Sequence, residues 1–475
     1  MSLPNGLIAV VKRDCPTCLL VDPVLVEIQR AGKPLTVYVQ DDPSFTQVAG
    51  SVDDRDLAQS FRLGIEIVPT LIEVVAGQEV QRTIGWVRSE WAALTGLATL
   101  GADLPAHRPG CGSKSVEPGI AEQLAVRYGQ TGMTARRVTV PPQEDDIEVC
   151  FERGWSDGLP VVPPSETRVY RMLQGTSRAP GEVLGLVPPN LSPCTIEKVA
   201  INAVMAGCKP EYLPVVIAAV EAALDPAFCL HGLLATTWFS GPMVIVNGPI
   251  RERIGMNWQG NVLGQGNRAN ATIGRALQLV VRNVGGGRPR EIDQATFGTP
   301  AKLSFCFAED EATAWTTLGE ERGFRCDQSS VTLFSADGPL GCADQKSRTP
   351  QPLIRSLAGS LRAVTHVEMA NAADAVVVIG PEHGRVFEQA GWSKAQVLAA
   401  LHAALQIQGQ DLGMGTDAAA PVATPNTAGT RPKFRPEGLT LVRAGGQAGL
   451  FSAIIPGWLM KGSLGTDPVS KEILI

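Results

Sequence analysis

Apolar and polar positions recur along this chain at periods that change from stretch to stretch. Leu7-Ile8-Ala9-Val10-Val11 is an apolar run of strand length, and Leu19 through Ile28 spaces its apolar positions as a helix does. Residues 89–100 are amphipathic and close a first unit. Residues 103–113 are turn-rich and aperiodic, residues 117–128 are helix-like, and a second polar passage ends at Pro141-Pro142. A second unit begins near Ile147. Within it, residues 195–206 and 213–224 are apolar nearly all round, as buried helices are. Residues 242–248 and 374–380 are short apolar runs ended by turn residues, which predicts buried strands. Residues 270–283 and 393–405 have helical periodicity. Strands alternating with helices predict an α/β class with a mixed or parallel sheet. The expected division is a small domain at 1–101, a linker with a short helix at 102–146 and a larger α/β domain at 147–475. A flexible insertion rich in Ala, Pro, Thr and Gly is expected at 413–432.

With 475 residues the chain has room for two to four domains at roughly 150 residues each. Hydrophobic content of 44% and charged content of 19% fit a globular protein with large cores. A net charge of −6 without a basic stripe argues against nucleic acid as a partner. No apolar segment reaches the roughly eighteen residues of a membrane helix, so no membrane is expected. No charged n-region and apolar h-region precede Leu7, so no secretory signal is expected. The cysteines follow no framework pattern, which suggests a reducing cytoplasm and mostly free thiols.

One stretch changes the picture. Cys15-Pro16-Thr17-Cys18 lies between the first strand and the first helix. Unpaired amides and the helix dipole at such a position favour thiolate at Cys15. Cys18, one turn on, is placed to attack the mixed disulfide that Cys15 forms. These residues predict a redox dithiol whose oxidised form is a Cys15–Cys18 disulfide. A structural zinc pair also uses this spacing, but it needs a second pair of ligands, and no other CxxC or HxxxH exists in the chain.

Together with Ile67-Val68-Pro69-Thr70-Leu71 and the segment from Glu79 to Trp86, the cysteine motif resembles the thioredoxin and glutaredoxin superfamily over residues 1–100. The resemblance implies a thioredoxin-like fold and thiol–disulfide exchange at Cys15 and Cys18. It also implies a cis-proline at Pro69, beside which the backbone holds the substrate's extended chain or thiol. An external thiol reductant or thioredoxin-type reductase is the implied partner. The Arg13-Asp14 flank departs from the Trp-Cys-Gly-Pro-Cys setting of ordinary thioredoxins.

In the second unit the densest polar stretch runs from Asn247 to Arg275. Asn257, Asn261, Gln265, Arg268, Asn270 and Arg275 are candidate ligand-binding residues, entering a helix near Asn270 where free amides favour a carboxylate or phosphate. The same residues suit a loop that caps its own backbone. Glu309 and Glu311 follow a strand; they offer acid–base groups or hard-metal ligands, or simply a solvated helix start. No metal is assigned. His383, just past the 374–380 strand, is the candidate general acid–base residue, or else a helix-capping histidine in a loop. Ser393 reads as an N-cap followed by an exposed Lys394. Cys208, and Cys194 at a helix start, read as small buried hydrophobes ahead of reactive thiols, and Cys342, on its expected loop, is an additional candidate thiol that the redox domain could service.

The segments Gly154 to Pro164, Ala203 to Glu211 and Arg268 to Arg275 resemble a group of uncharacterised bacterial proteins. These are associated with small proteins bearing a selenocysteine- or cysteine-Gly-Ser-Cys motif, which implies a partner redox or selenoprotein subunit. Cys111-Gly112-Ser113-Lys114 lacks the second cysteine of that motif. The expected function is a thiol–disulfide oxidoreductase module delivering electrons to a fused domain that binds a small anionic or polar molecule, with no cofactor assigned beyond the redox-active disulfide. Two alternatives stay open. One is a carbon–sulfur or carbon–metal bond-cleaving enzyme whose dithiol captures sulfur or a soft metal. The other is a non-enzymatic redox-sensing binding protein.

Overall fold

The N-terminal apolar run forms β1 (Gly6–Val11), buried from Leu7 onward because it is the central strand of a five-stranded sheet. The computed structural model describes residues 3–299, 302–364, 373–408, 429–458 and 466–475. The chain divides into two units, residues 1–131 and 132–475. In the first, α1 (Pro16–Arg30) follows β1, and Pro16 suits its first turn, where an amide would lack a helical partner. Cys18, Val21, Val24, Leu25 and Ile28 make its buried stripe. β2 (Leu35–Val39) pairs in parallel with β1, and β3 (Val52–Asp53) in parallel with β2. After α2 (Ala58–Arg62) and β4 (Ile67–Val68), β5 (Thr70–Val75) pairs antiparallel with β1, and β6 (Gln78–Ile84) with β5.

Residues 102–131, part of the stretch expected as a linker with a short helix, cluster with this unit. β7 (Trp86–Val87) leads into α3 (Arg88–Thr95), and β8 (His107–Arg108) returns to pair with β7. β9 (Cys111–Gly112) pairs antiparallel with β4, and α4 (Ile120–Tyr128) lays Tyr128 beside Phe61 with ring centroids 6.3 Å apart. The segment is tied down by backbone pairing and by bonds such as Trp86 Nε1–H to the Pro105 carbonyl at 2.6 Å. Such ties leave no apolar period to read.

The second unit is α/β with mixed sheets. Its first four-stranded sheet runs Cys306–Ala308, Gly241–Asn247, Ser330–Ala336, Val469–Glu472, with the first pair parallel and the others antiparallel. The second runs Leu340–Ala343, Phe451–Trp458, Ala373–Ile379, Leu439–Arg443, and only its last pair is parallel. Val244 and Val246 pack with the helices Ile196–Ala206, Leu213–Leu224 and Arg268–Asn283. Met243 and Ile245 point the other way and meet Val376 and Val378 of the second sheet. Ala375, Val377 and Ile379 pack outward against Pro350–Ala363 and Lys394–Ala404. The alternation of strand side chains thus builds helices, sheet, sheet and helices in layers. Each central strand is apolar on both faces, and burying each Val or Ile contributes about 1.5–3 kcal/mol. The sheets touch closely at one end: the Asp337 amide donates to the Pro456 carbonyl at 2.7 Å, and a Cβ on Gly457 would lie 1.9 Å from the Ser335 carbonyl oxygen.

Among the described residues no single helix is long and apolar enough to cross a membrane. The insertion expected at 413–432 lies outside the described residues up to 428. Thr430–Pro432 is a strand paired with Gln406–Gln408.

Candidate functional site

Cys15 is the last extended residue before α1, and its sulfur caps the helix: the Cys18 amide donates to Cys15 Sγ at 3.2 Å. As a thiol, Cys15 donates to the Val68 carbonyl oxygen at 3.5 Å, and the Val68–Pro69 peptide bond is cis. Both sulfurs are free, and Cys15 and Cys18 are 1% and 0% exposed. The Cys18 thiol donates to Cys15 and, against the opposing effect of burial, is the main reason the Cys15 pKa is lowered to about 5. A hydrogen bond from Cys111 and the amides of Cys18 and Thr17 add to it. Burial, then the hydrogen bond to the Cys15 thiolate, pushes the Cys18 pKa far upward. One sulfur is held ionised and the other protonated. When Cys15 is taken up in a mixed disulfide, its negative charge no longer holds the Cys18 proton.

Cys111 is the member of this cluster that sequence reasoning missed. It sits opposite Val68 in the β4–β9 pair, and Thr17 Oγ1–H donates to the Pro109 carbonyl at 2.7 Å. Burial and the neighbouring Cys15 thiolate raise its pKa.

Most candidate side chains of the second unit's polar loop are bonded within the protein. The Asn257 amide donates to Asn270 Oδ1 at 3.0 Å and Asn270 Nδ2 returns a bond to the Asn257 carbonyl at 2.8 Å. Asn257 Nδ2 donates to the Gly260 carbonyl, and Asn261 Nδ2 to the carbonyl of Gln265. Arg268 Nε donates to the Gly207 carbonyl at 2.9 Å, and Arg275 makes two 2.8 Å bonds to Asp157 besides reaching the Leu159 and Pro160 carbonyls. The helix begins at Arg268, earlier than expected, and Asn267 Oδ1 caps it by accepting from the Asn270 amide. The expected anion-binding amide at Asn270 is therefore occupied. A shallow cleft of ≈ 430 Å³ remains beside Asn257 and Gln265.

Glu309 and Glu311 start no helix. The strands Gly241–Asn247 and Cys306–Ala308 are parallel, so Asn247 and Glu309 emerge at the same end. Glu309, 3% exposed, accepts from Asn247 Nδ2 at 2.6 Å and from the Leu318 amide at 2.8 Å. Burial pushes its pKa up to about 7, against the charge of Lys394 and these bonds. Glu311 accepts from the Gly248 amide at 2.7 Å and pairs with Arg251 at 3.1 Å. Glu311 and Asn247 line a cleft of ≈ 370 Å³. Lys394 is not exposed as expected: it is 4% exposed, with Nζ 2.8 Å from Glu321 and 3.2 Å from the Thr316 carbonyl. Among the described residues no three His, Cys, Asp or Glu side chains are arranged to hold a metal ion.

His383 lies on the helix Pro381–Gln389 and is fully buried. Its Nδ1 is 2.8 Å from Ser452 Oγ and its Nε2 3.1 Å from the Asp344 carbonyl oxygen, so both ring nitrogens are engaged. The remaining candidate thiols are small buried groups. Cys342 is on the strand Leu340–Ala343 and Cys194 on the strand Ser192–Thr195, neither on a loop or helix as expected. Cys208 donates to the Thr272 carbonyl at 3.4 Å. Burial raises all of them, Cys194 and Cys208 to about 12.

A larger cavity of ≈ 910 Å³ was also missed; its lining includes Trp155, Glu197, Lys198, Asn202 and Asn283. Asn283 Nδ2 donates to Asn202 Oδ1 at 2.9 Å, and Asn283 Oδ1 is buried without a hydrogen-bond partner. The signal in the sequence was Glu197, Lys198 and Asn202, the polar side chains of a helix whose other positions are apolar. Compared with protein-family models, curated proteins and solved structures, the chain matches none.

Proposed function

We propose that the first unit is a thioredoxin-like dithiol domain acting in thiol–disulfide exchange, fused to an α/β unit that binds a small polar molecule. Cys15 thiolate attacks a client disulfide and one client thiolate leaves. Cys18 then gives up its proton and attacks Cys15 Sγ, and the second client thiolate leaves. The client is reduced by two electrons and the chain keeps a Cys15–Cys18 disulfide, which an external thiol reductant reopens by the reverse exchange. The observation that carries this reading is the Cys15 sulfur at the head of α1, accepting the Cys18 amide at 3.2 Å with a second thiol one turn on. In the second unit the cavity beside Asn202 and Asn283, with its unpartnered Asn283 oxygen, supports a small-molecule site better than the self-capped loop around Arg268 does.

Ultraviolet thiolate absorbance of the full chain against pH tests the reading. A transition with its midpoint near 5, absent from Cys15→Ser, is expected. A first midpoint at the ordinary thiol value of about 8.5 would overturn it.

A further inference from the structure

We propose that Cys111 is the third exchanging thiol of this centre, the one through which the buried Cys15–Cys18 pair meets thiols and disulfides from solvent. The inference rests on the redox reading and extends it. Cys15 is 1% exposed and Cys111 is half-buried, so a small reagent in solvent meets Cys111 first. Cys111 stands opposite Val68, the residue whose carbonyl faces the Cys15 thiol. Cys111 packs against the buried cluster that contains Cys15 and Cys18, close enough to help lower the Cys15 pKa.

The segment around Cys111 is built to hold it there. Thr17, within the cysteine motif, donates to the Pro109 carbonyl. Gly110 lies so near β4 that a Cβ would sit 2.4 Å from Ile67 Cγ2 and 2.7 Å from the Val68 carbonyl oxygen. On the other side the Ser113 amide donates to the Glu66 carbonyl at 2.8 Å and the Lys114 amide to Gln40 Oε1 at 3.1 Å. Cys111 is thereby fixed from both flanks against the groove that holds the reactive sulfur.

Exchange in the oxidising direction has three balanced steps. Cys111, its proton lost to solvent, attacks a small disulfide and expels one thiolate. Cys15 thiolate attacks Cys111 Sγ, forming a Cys15–Cys111 disulfide and expelling the second thiolate. Cys18 then gives up its proton and attacks Cys15 Sγ; the Cys15–Cys111 bond breaks, Cys15–Cys18 forms, and the departing Cys111 thiolate takes up that proton. The external disulfide is the oxidant, reduced to two thiols, and reduction of the centre runs the steps backwards.

The test treats the reduced full chain with oxidised glutathione and maps disulfides by mass spectrometry. Cys18→Ser should accumulate an internal Cys15–Cys111 disulfide and retain no glutathione on either of these two cysteines. Cys111→Ser should still form Cys15–Cys18, at least about tenfold more slowly than wild type, because the attack must wait for Cys15 to be uncovered. Cys18→Ala gives the same mapping should the serine variant not fold, and circular dichroism checks each variant. Glutathione retained on Cys15 or Cys111 of the Cys18 variant, or Cys111→Ser oxidising as fast as wild type, overturns the proposal while leaving Cys15–Cys18 exchange intact. Absence of Cys15–Cys18 from oxidised wild type overturns the underlying reading as well.

Discussion

Burial alone does not decide how an ionisable side chain behaves in this protein; the donors around it do. Cys15, Cys194 and Cys306 are all buried, yet the last two are pushed up by desolvation while Cys15, with thiols and amides aimed at its sulfur, is lowered to about 5. Glu309 shows the balance tipped the other way: its two hydrogen bonds do not outweigh burial, and its pKa rises from 4.5 to about 7. A carboxyl raised in the folded state adds stability below its unfolded pKa and loses it as pH climbs through the folded one. Between pH 4.5 and 8 the wild type should lose about 3 kcal/mol from this group. Glu309→Gln, which keeps an oxygen for the Leu318 amide, should flatten that loss. Thermal unfolding at pH 5 and 8 measures it, and a variant as pH-sensitive as wild type would assign the loss elsewhere.

At the level of elements, two kinds of ordering force are at work. Helices and strands that present a face to a core announce themselves by period, so Leu213–Leu224 is recovered to the residue and Lys394–Ala404 is found with its Ser393 cap. Short strands held by main-chain pairing carry no such mark. β9 is two residues long and pairs with β4 more than forty positions earlier, so its glycine–cysteine sequence read as a turn. The Arg268 loop was not legible for a related reason. Its Asn and Arg residues suit a ligand as well as they suit distant carbonyls, and only the folded positions of Gly207 and Asp157 decide between them. The β9 segment also yields a direct test. Gly110→Ala drives a methyl into Ile67 and Val68, which costs about 1–3 kcal/mol and lifts the strand from Cys15. Iodoacetamide should then alkylate Cys15 faster than in wild type; an unchanged rate would mean that β9 does not govern access.

For the whole molecule, the division at residue 131 has practical weight. A fragment of residues 1–131 should fold alone with a cooperative thermal transition. A fragment of 1–101 loses β8, β9 and the Pro105 carbonyl that satisfies buried Trp86, and should melt lower or without cooperativity. Circular dichroism melting compares them, and equal midpoints would show that 102–131 adds no stability. The second unit is laid out differently. Its first sheet is completed by Val469–Glu472, after the chain has already contributed Phe451–Trp458 to the second sheet, and Val469 and Ile473 enter the helical core. On a ribosome, then, the dithiol unit can mature while most of its neighbour is still being translated. The layered unit must wait with an open sheet edge until residue 473 has emerged, and that interval is when a nascent chain most needs a chaperone's shelter.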